Sequence, residues 1–185
     1  MQTLNPDILY IKTKERMDMM RLRKYILNPT SISVVGFLLG IMCKLLDIYS
    51  TGMLVEVGYM FSNMPVWILI GVLISRYSET PKTAMVNILP FSIFMLVSYY
   101  GTAELLGAPY SPQLMICWIL FACATPIFAG LAWKTRYKSI SAKMIAAMIL
   151  LVTIWFVVVY ADNILDYLCI PILFCVFFVK RKHGT

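Results

Sequence analysis

The chain has 185 residues, 61% of them hydrophobic and 14% charged, where a soluble domain has about half and about a quarter. That balance excludes a soluble globular fold, and the five cysteines, an odd number in apolar runs without C-x-x-C spacing, exclude a disulfide scaffold. The only histidine is His183, so neither a zinc motif nor a Ser/His/Asp triad can be assembled, and no metal or cofactor is expected.

Residues 1–30 form a basic segment. Ile8, Ile11, Met19, Leu22 and Ile26 can share one face between Lys and Arg residues, which predicts an amphipathic segment on the inner membrane surface, ended by Asn28-Pro29. A solvated basic tail is the plainer alternative. A signal peptide fits poorly, because no small-x-small site follows the apolar run and Met42 precedes Cys43 where a lipidated cysteine needs a small neighbour.

Beyond that segment, a spanning helix needs about 20 mostly apolar residues, and six such stretches follow one another. They are Ser31 to Tyr49, Phe61 to Ser75, Lys82 to Leu105, Gln113 to Trp133, Ala142 to Tyr160 and Ile164 to Val179. The second is short, and is expected to be tilted, to begin near Val55, or to follow a re-entrant stretch holding Gly52, Gly58 and Pro65. Glu79-Thr80-Pro81, Gly107-Ala108-Pro109 and Ser111-Pro112 mark turns between spans. The connectors leave no room for a second domain, so residues 31–179 are one all-α, six-helix transmembrane bundle and 180–185 a basic cytoplasmic tail.

Charge supports the count, since Lys and Arg gather in cytoplasmic loops near span ends. With the amino terminus inside, fifteen of the sixteen basic residues fall on the cytoplasmic side with four acids. Lys44 falls on the other side with five acids. Both termini are therefore expected in the cytoplasm of a plasma-membrane protein. The positive balance reads as topology and attraction to anionic lipid, not as nucleic-acid binding.

Ionisable groups inside the membrane are the default functional candidates, because an unpaired charge costs several kcal/mol there. Lys44 lies roughly 20 Å along the first span at 1.5 Å per residue. Asp47 follows at i+3 on the same face. Gly36 and Gly40 recur ahead of Lys44 at four-residue intervals, a face where another backbone can approach closely, which predicts that Lys44 faces protein. The third span ends in Ser98-Tyr99-Tyr100-Gly101-Thr102-Ala103-Glu104. Its tyrosines suit an interface, and Glu104 would sit at the depth of Lys44. Pro65, Pro90, Pro126 and Pro171 each free a backbone carbonyl, a pattern of kinked helices that suits a pocket and also ordinary helical membrane proteins. Asp162 and Asp166 read as loop carboxylates, and Cys43, Cys117, Cys123, Cys169 and Cys175 as soft packing groups.

The strings Gly36-Phe-Leu-Leu-Gly40-Ile-Met-Cys-Lys44-Leu-Leu-Asp47, Ser98-Tyr99-Tyr100, and Thr125-Pro126 leading through Trp133 to Arg136 resemble an uncharacterised family of small six-helix membrane proteins of Gram-positive bacteria, over Val34 to Ala147. In size and topology the chain is also similar to the S components of energy-coupling factor transporters, which implies a site opening outward and a first helix whose small residues, here Gly36 and Gly40, contact a partner. The expectation is a non-enzymatic subunit that binds or moves a small solute, energised by partner subunits. Its outward polar pocket would be bordered by Lys44, Asp47, Tyr99, Tyr100 and Glu104. Lys44 would meet an anionic group, the two acids would compensate it, and the tyrosines would supply stacking and hydroxyl contacts. The alternative is a non-transporting interaction protein, an assembly factor, complex subunit or immunity-type protein, with a partner helix on the Gly36–Gly40 seam.

Overall fold

Each long helix starts where a capping side chain or a proline makes a start cheap. Asn28 accepts from the Ser31 amide at 2.8 Å, and Pro29 occupies the first turn of α1 (Pro29–Tyr49). Thr80 and Pro81 do the same for α4 (Pro81–Leu105), and Ser111 and Pro112 for α5 (Pro112–Lys134). The Ser139 hydroxyl accepts from the Ala142 amide ahead of α6 (Ile140–Tyr160). Between these lie α2 (Met53–Ser62) and α3 (Met64–Tyr77), and the chain ends in α7 (Ile164–Tyr167) and α8 (Cys169–Phe178). A computed structural model describes residues 27–160 and 164–178, with Lys14 and Met17. The expected amphipathic segment ahead of Leu27, Asp162 and the tail 180–185 lie outside the described residues.

The described residues are all-helical in their regular structure. Helices α1, α4, α5 and α6 are each long and apolar enough to cross a membrane, and α2 with α3 makes a fifth if that pair, bent by 66°, counts as one span. The segment Ile164–Phe178 is apolar but shorter.

The bend between α2 and α3 has a local cause. Pro65 has no N–H to donate back to the Phe61 carbonyl. The Trp67 indole takes that carbonyl instead, at 2.8 Å. The α2 helix then folds back over the end of α1: Gly58 lies against Leu46 and Ser50, and the Ser62 hydroxyl donates to Asp47 at 3.2 Å. Thus α2 begins and ends beside the same end of α1, and α3 alone carries the chain to the opposite end.

Register along the helices orders the rest. Gly36 meets Phe91, Gly40 meets Met95 and Ser98, and Lys44 lies over Tyr99, so α1 and α4 advance together and run parallel. Helix α3 and the segment Ile164–Phe178 also run side by side. The Asn63 amide donates to Asp166 at 2.7 Å at one end, and the Arg76 guanidinium lies 5.7 Å from the Phe177 ring centre at the other.

Small residues set the packing distances. A Cβ on Gly36 would fall 2.5 Å from the Phe91 carbonyl oxygen, and one on Gly40 still closer to the Met95 carbonyl and the Ser98 hydroxyl. Only hydrogen fits there, which lets two backbones meet in a medium where apolar burial between helices gains little. On the opposite flank Val66, Leu69 and Val72 of α3 pack with Ala132, Ala146, Cys169, Leu173 and Phe177. Helix α3 is thereby the post around which α4, α5, α6 and α8 gather.

Candidate functional site

Two features stand out, a polar cluster at the Lys44 end of the bundle and an apolar chamber within it. The cluster begins at the end of α1. Lys44 is only 5% exposed, although it carries a charge. Its ammonium donates to the Pro109 carbonyl at 3.4 Å and sits 5.0 Å from the Tyr99 ring centre. A cation over an aromatic face is stabilised by about 0.5–2 kcal/mol, more as water is removed.

Tyr99 works in two directions, offering its face to Lys44 and donating its hydroxyl to Asp47. Asp47 also accepts from Ser62. The lysine and the aspartate one turn apart on α1 therefore form no ion pair with each other; the phenol stands between them. Tyr99 touches Tyr100 edge-on at 5.1 Å, and Tyr100 touches Tyr110 at 5.3 Å. Tyr110 donates to Glu104. Of the five residues expected to border a pocket, Lys44, Asp47, Tyr99 and Tyr100 come together directly, while Glu104 is exposed and joins through Tyr110. That hydrogen bond, with partial burial and the nearby negative charge, holds the Tyr110 phenol above its ordinary range. The Glu104 contact is thus complete at neutral pH and is lost as pH rises through the raised value.

The loop that carries Pro109 is shaped by a glycine-ended helix. Gly107, at φ +62°, lets the Ala108 amide reach the Ala103 carbonyl at 2.9 Å and its own amide reach Glu104. The turn aims the Pro109 carbonyl at Lys44. Sequence reading does not reveal Pro109, Ser62 and Tyr110; the Gly107-Ala108-Pro109 run marks a turn, but the partner of Pro109 on α1 is 65 residues away. Replacing Lys44 with methionine keeps the stem and removes the charge. The expected result is a loop 106–111 that opens more readily by about 1 kcal/mol, seen as roughly fivefold faster amide exchange there, with little change in global stability. Unchanged exchange would show that Lys44 does not hold the loop.

The chamber lies elsewhere. It has a volume of about 580 Å³, within the roughly 300–1,000 Å³ range of small-molecule sites. Its walls come from α3, α4, α5 and α6, including Trp67, Gly71, Phe91, Met95, Trp118, Phe128 and Met148. None of the five expected pocket residues lines it. Tyr100 connects the two features, because it packs on Met95, Leu96 and Ala122, all chamber residues. Pro126 helps to shape the α5 wall. The Ala122 carbonyl that it leaves without an amide accepts from the Thr125 hydroxyl at 2.7 Å.

At the other end, the turn joining α3 to α4 is gripped from α5. The Ser78 carbonyl accepts from the Trp133 indole at 3.2 Å and from Arg136 at 2.7 Å, with the guanidinium 5.3 Å from the Trp133 ring centre. Arg76 donates to both the carbonyl and the hydroxyl of Thr135 at 2.9 Å. Fully buried Asn87 donates to the Leu27 carbonyl at 2.9 Å and ties in the start of α1. This gives the Trp133-x-x-Arg136 pair a structural role, with one donor from the last turn of α5 and one from the turn just after it closing on one carbonyl. Among the described residues, no three His, Cys, Asp or Glu side chains converge to hold a metal ion.

The chain belongs to a family of unknown function (DUF6518), which matches residues 20–158. The match runs from ahead of α1 nearly to the end of α6, so it includes Lys44, Asp47, Tyr99, Tyr100, Glu104 and the Trp133–Arg136 grip but stops short of α7 and α8. No curated protein matches the chain, and no solved structure does.

Proposed function

We propose that this family member is a small-solute binding or transport subunit of the plasma membrane, with the chamber between α3 and α6 as its binding site. The observation that carries the reading is the chamber itself, about 580 Å³ of space kept open among four helices. Interiors normally leave few voids larger than a water molecule. The chain crosses six times, through α1, α3, α4, α5, α6 and the segment from α7 through α8. The parallel register of α1 with α4, and of α3 with Ile164–Phe178, supports that course. Arg76, Lys82, Lys134, Arg136, Lys138 and Lys143 lie at the ends away from Lys44, so the Lys44 end faces outward and both termini are cytoplasmic.

On this reading Lys44, Asp47, Tyr99, Tyr100 and Glu104 form the outer closure above the chamber rather than its lining. Energy for movement comes from partner subunits, which the basic ends of α5 and α6 face. The seam of Gly36 and Gly40 is filled by α4, so a partner helix has to use another face of α1.

Gly71 supplies the test. A Cβ there would come no nearer than 3.9 Å to another side chain, and the glycine lines the chamber. Phenylalanine at this position is expected to fill the space without forcing the backbone. Small molecules extracted from gently purified wild type and Gly71→Phe proteins, with equal helicity and elution volume, should differ by one compound present only in the wild type. Identical extracts from the two would refute the binding site.

A further inference from the structure

We infer that the chamber takes a single long hydrocarbon chain, acyl or isoprenoid, drawn from the bilayer through a side opening between α5 and α6. This rests on the chamber being a binding site and adds the class of its occupant. The chemistry of the walls comes first. Apart from the hydroxyls of Ser75, Ser92 and Thr125 and the indole N–H groups of Trp67 and Trp118, the lining side chains are apolar, and the Trp67 indole already donates to the Phe61 carbonyl at 2.8 Å. The Ser75 hydroxyl donates to the Gly71 carbonyl at 2.6 Å, that of Thr125 donates to Ala122, and Ser92 and Thr125 face each other at 3.5 Å. The hydroxyls are therefore engaged within the protein. A polar solute would lose its water and find few partners, at a cost of roughly 1–3 kcal/mol for each group left unpaired. A hydrocarbon loses nothing.

Size and access agree. With about 30 Å³ as the share of one water in the liquid, 580 Å³ holds on the order of twenty heavy atoms, the scale of one lipid chain. Most lining residues are buried or half-buried. The exposed ones are Phe128 and Leu131 of α5 and Met148 and Val152 of α6, exposed by 52, 40, 64 and 48%. Phe128 lies nearly two turns from the end of α5 and Leu131 in its last turn, while Met148 and Val152 lie near the middle of α6, and all four line the same chamber. An opening at that depth faces acyl chains, not water, and methionine with aromatic rings makes an adaptable wall for a flexible chain.

Heavy-atom quenching reads the occupant directly. The full chain carrying Trp118→Phe, Trp133→Phe and Trp155→Phe keeps Trp67, which lines the chamber, as its only indole. It is reconstituted into phosphatidylcholine vesicles whose acyl chains are brominated, or into unbrominated vesicles given a brominated free fatty acid. The expected result is loss of Trp67 fluorescence in one or both arms. Quenching by the phospholipid alone assigns a membrane lipid chain, and quenching by the free acid assigns a free amphiphile. Both support the inference if Gly71→Phe abolishes the loss. Should that variant fold poorly, Met148→Phe with Val152→Phe at the exposed opening is expected to do the same. Undiminished fluorescence in both arms, with a polar compound still retained by wild type and missing from Gly71→Phe, overturns the hydrocarbon while leaving the binding site standing. Undiminished fluorescence with no retained compound overturns both.

Discussion

Leucine in place of Gly40 is expected to separate α1 from α4 and to lower the unfolding temperature of the detergent-solubilised protein by roughly 10 °C, for an overpacking cost of about 3 kcal/mol. The added atoms would land on the Met95 carbonyl and the Ser98 hydroxyl. A carbonyl inside a helix cannot turn aside as a flexible side chain can. The opposing residues are themselves helical backbone, so relief requires moving α1 bodily and breaks the contacts of Lys44 one turn further on. Gly58→Ala is the control. Its Cβ would meet Ser50 at 3.5 Å, an ordinary contact, and should shift the transition little. A Gly40→Leu protein that unfolds with the wild type would mean that the two helices do not meet at this seam.

Asn63→Leu is expected to cost about 2–3 kcal/mol, because it takes a donor away from a buried carboxylate. Asp166 is fully buried and accepts from the Asn63 amide at 2.7 Å. Asn63 also sits at the break between α2 and α3, so the bond fixes where the shorter last segment enters the bundle. Adding Asp166→Leu to Asn63→Leu should recover part of the loss, since a missing pair is cheaper than half of one. Thermal unfolding of both single variants and the double variant gives the coupling. Additive losses would show that the two side chains do not depend on each other.

Much of the fold is legible in the residues because helix starts carry their own chemistry. Asn28-Pro29, Thr80-Pro81 and Ser111-Pro112 place α1, α4 and α5 within one or two residues of where they begin. The stretch 53–77 is harder to read. It is mostly apolar, with Glu56, Ser62 and Asn63 along its first half, and nothing in its hydropathy distinguishes a tilted span from α2 folded over α1 and α3 descending alone. Pro65 decides it, through a carbonyl that the Trp67 indole serves in place of a backbone amide. The last segment reads as a full span from composition, but its helices are short, and its depth follows from contacts at Asp166 and Phe177.

The site divides in the same way. Spacing from Gly36 and Gly40 points Lys44 at protein, and its low exposure agrees with that direction. Spacing also suggests an ion pair with Asp47, because i+3 neighbours share a face. The ring of Tyr99 and the carbonyl of Pro109 take the lysine instead. Those partners come from distant helices, and no local pattern names them. The chamber is invisible in sequence for a related reason. Ala122, Ala129, Met95 and Met148 are ordinary packing residues singly, and the space arises only from how four helices are held apart.

Occupancy of this space in the membrane is tested most directly by a structure of the protein crystallised from a lipidic mesophase. Continuous elongated density between Trp67 and Trp118, leading out past Met148 and Val152, is the predicted result. Helices α3 and α6 closed upon each other, with their side chains filling the volume, would contradict it.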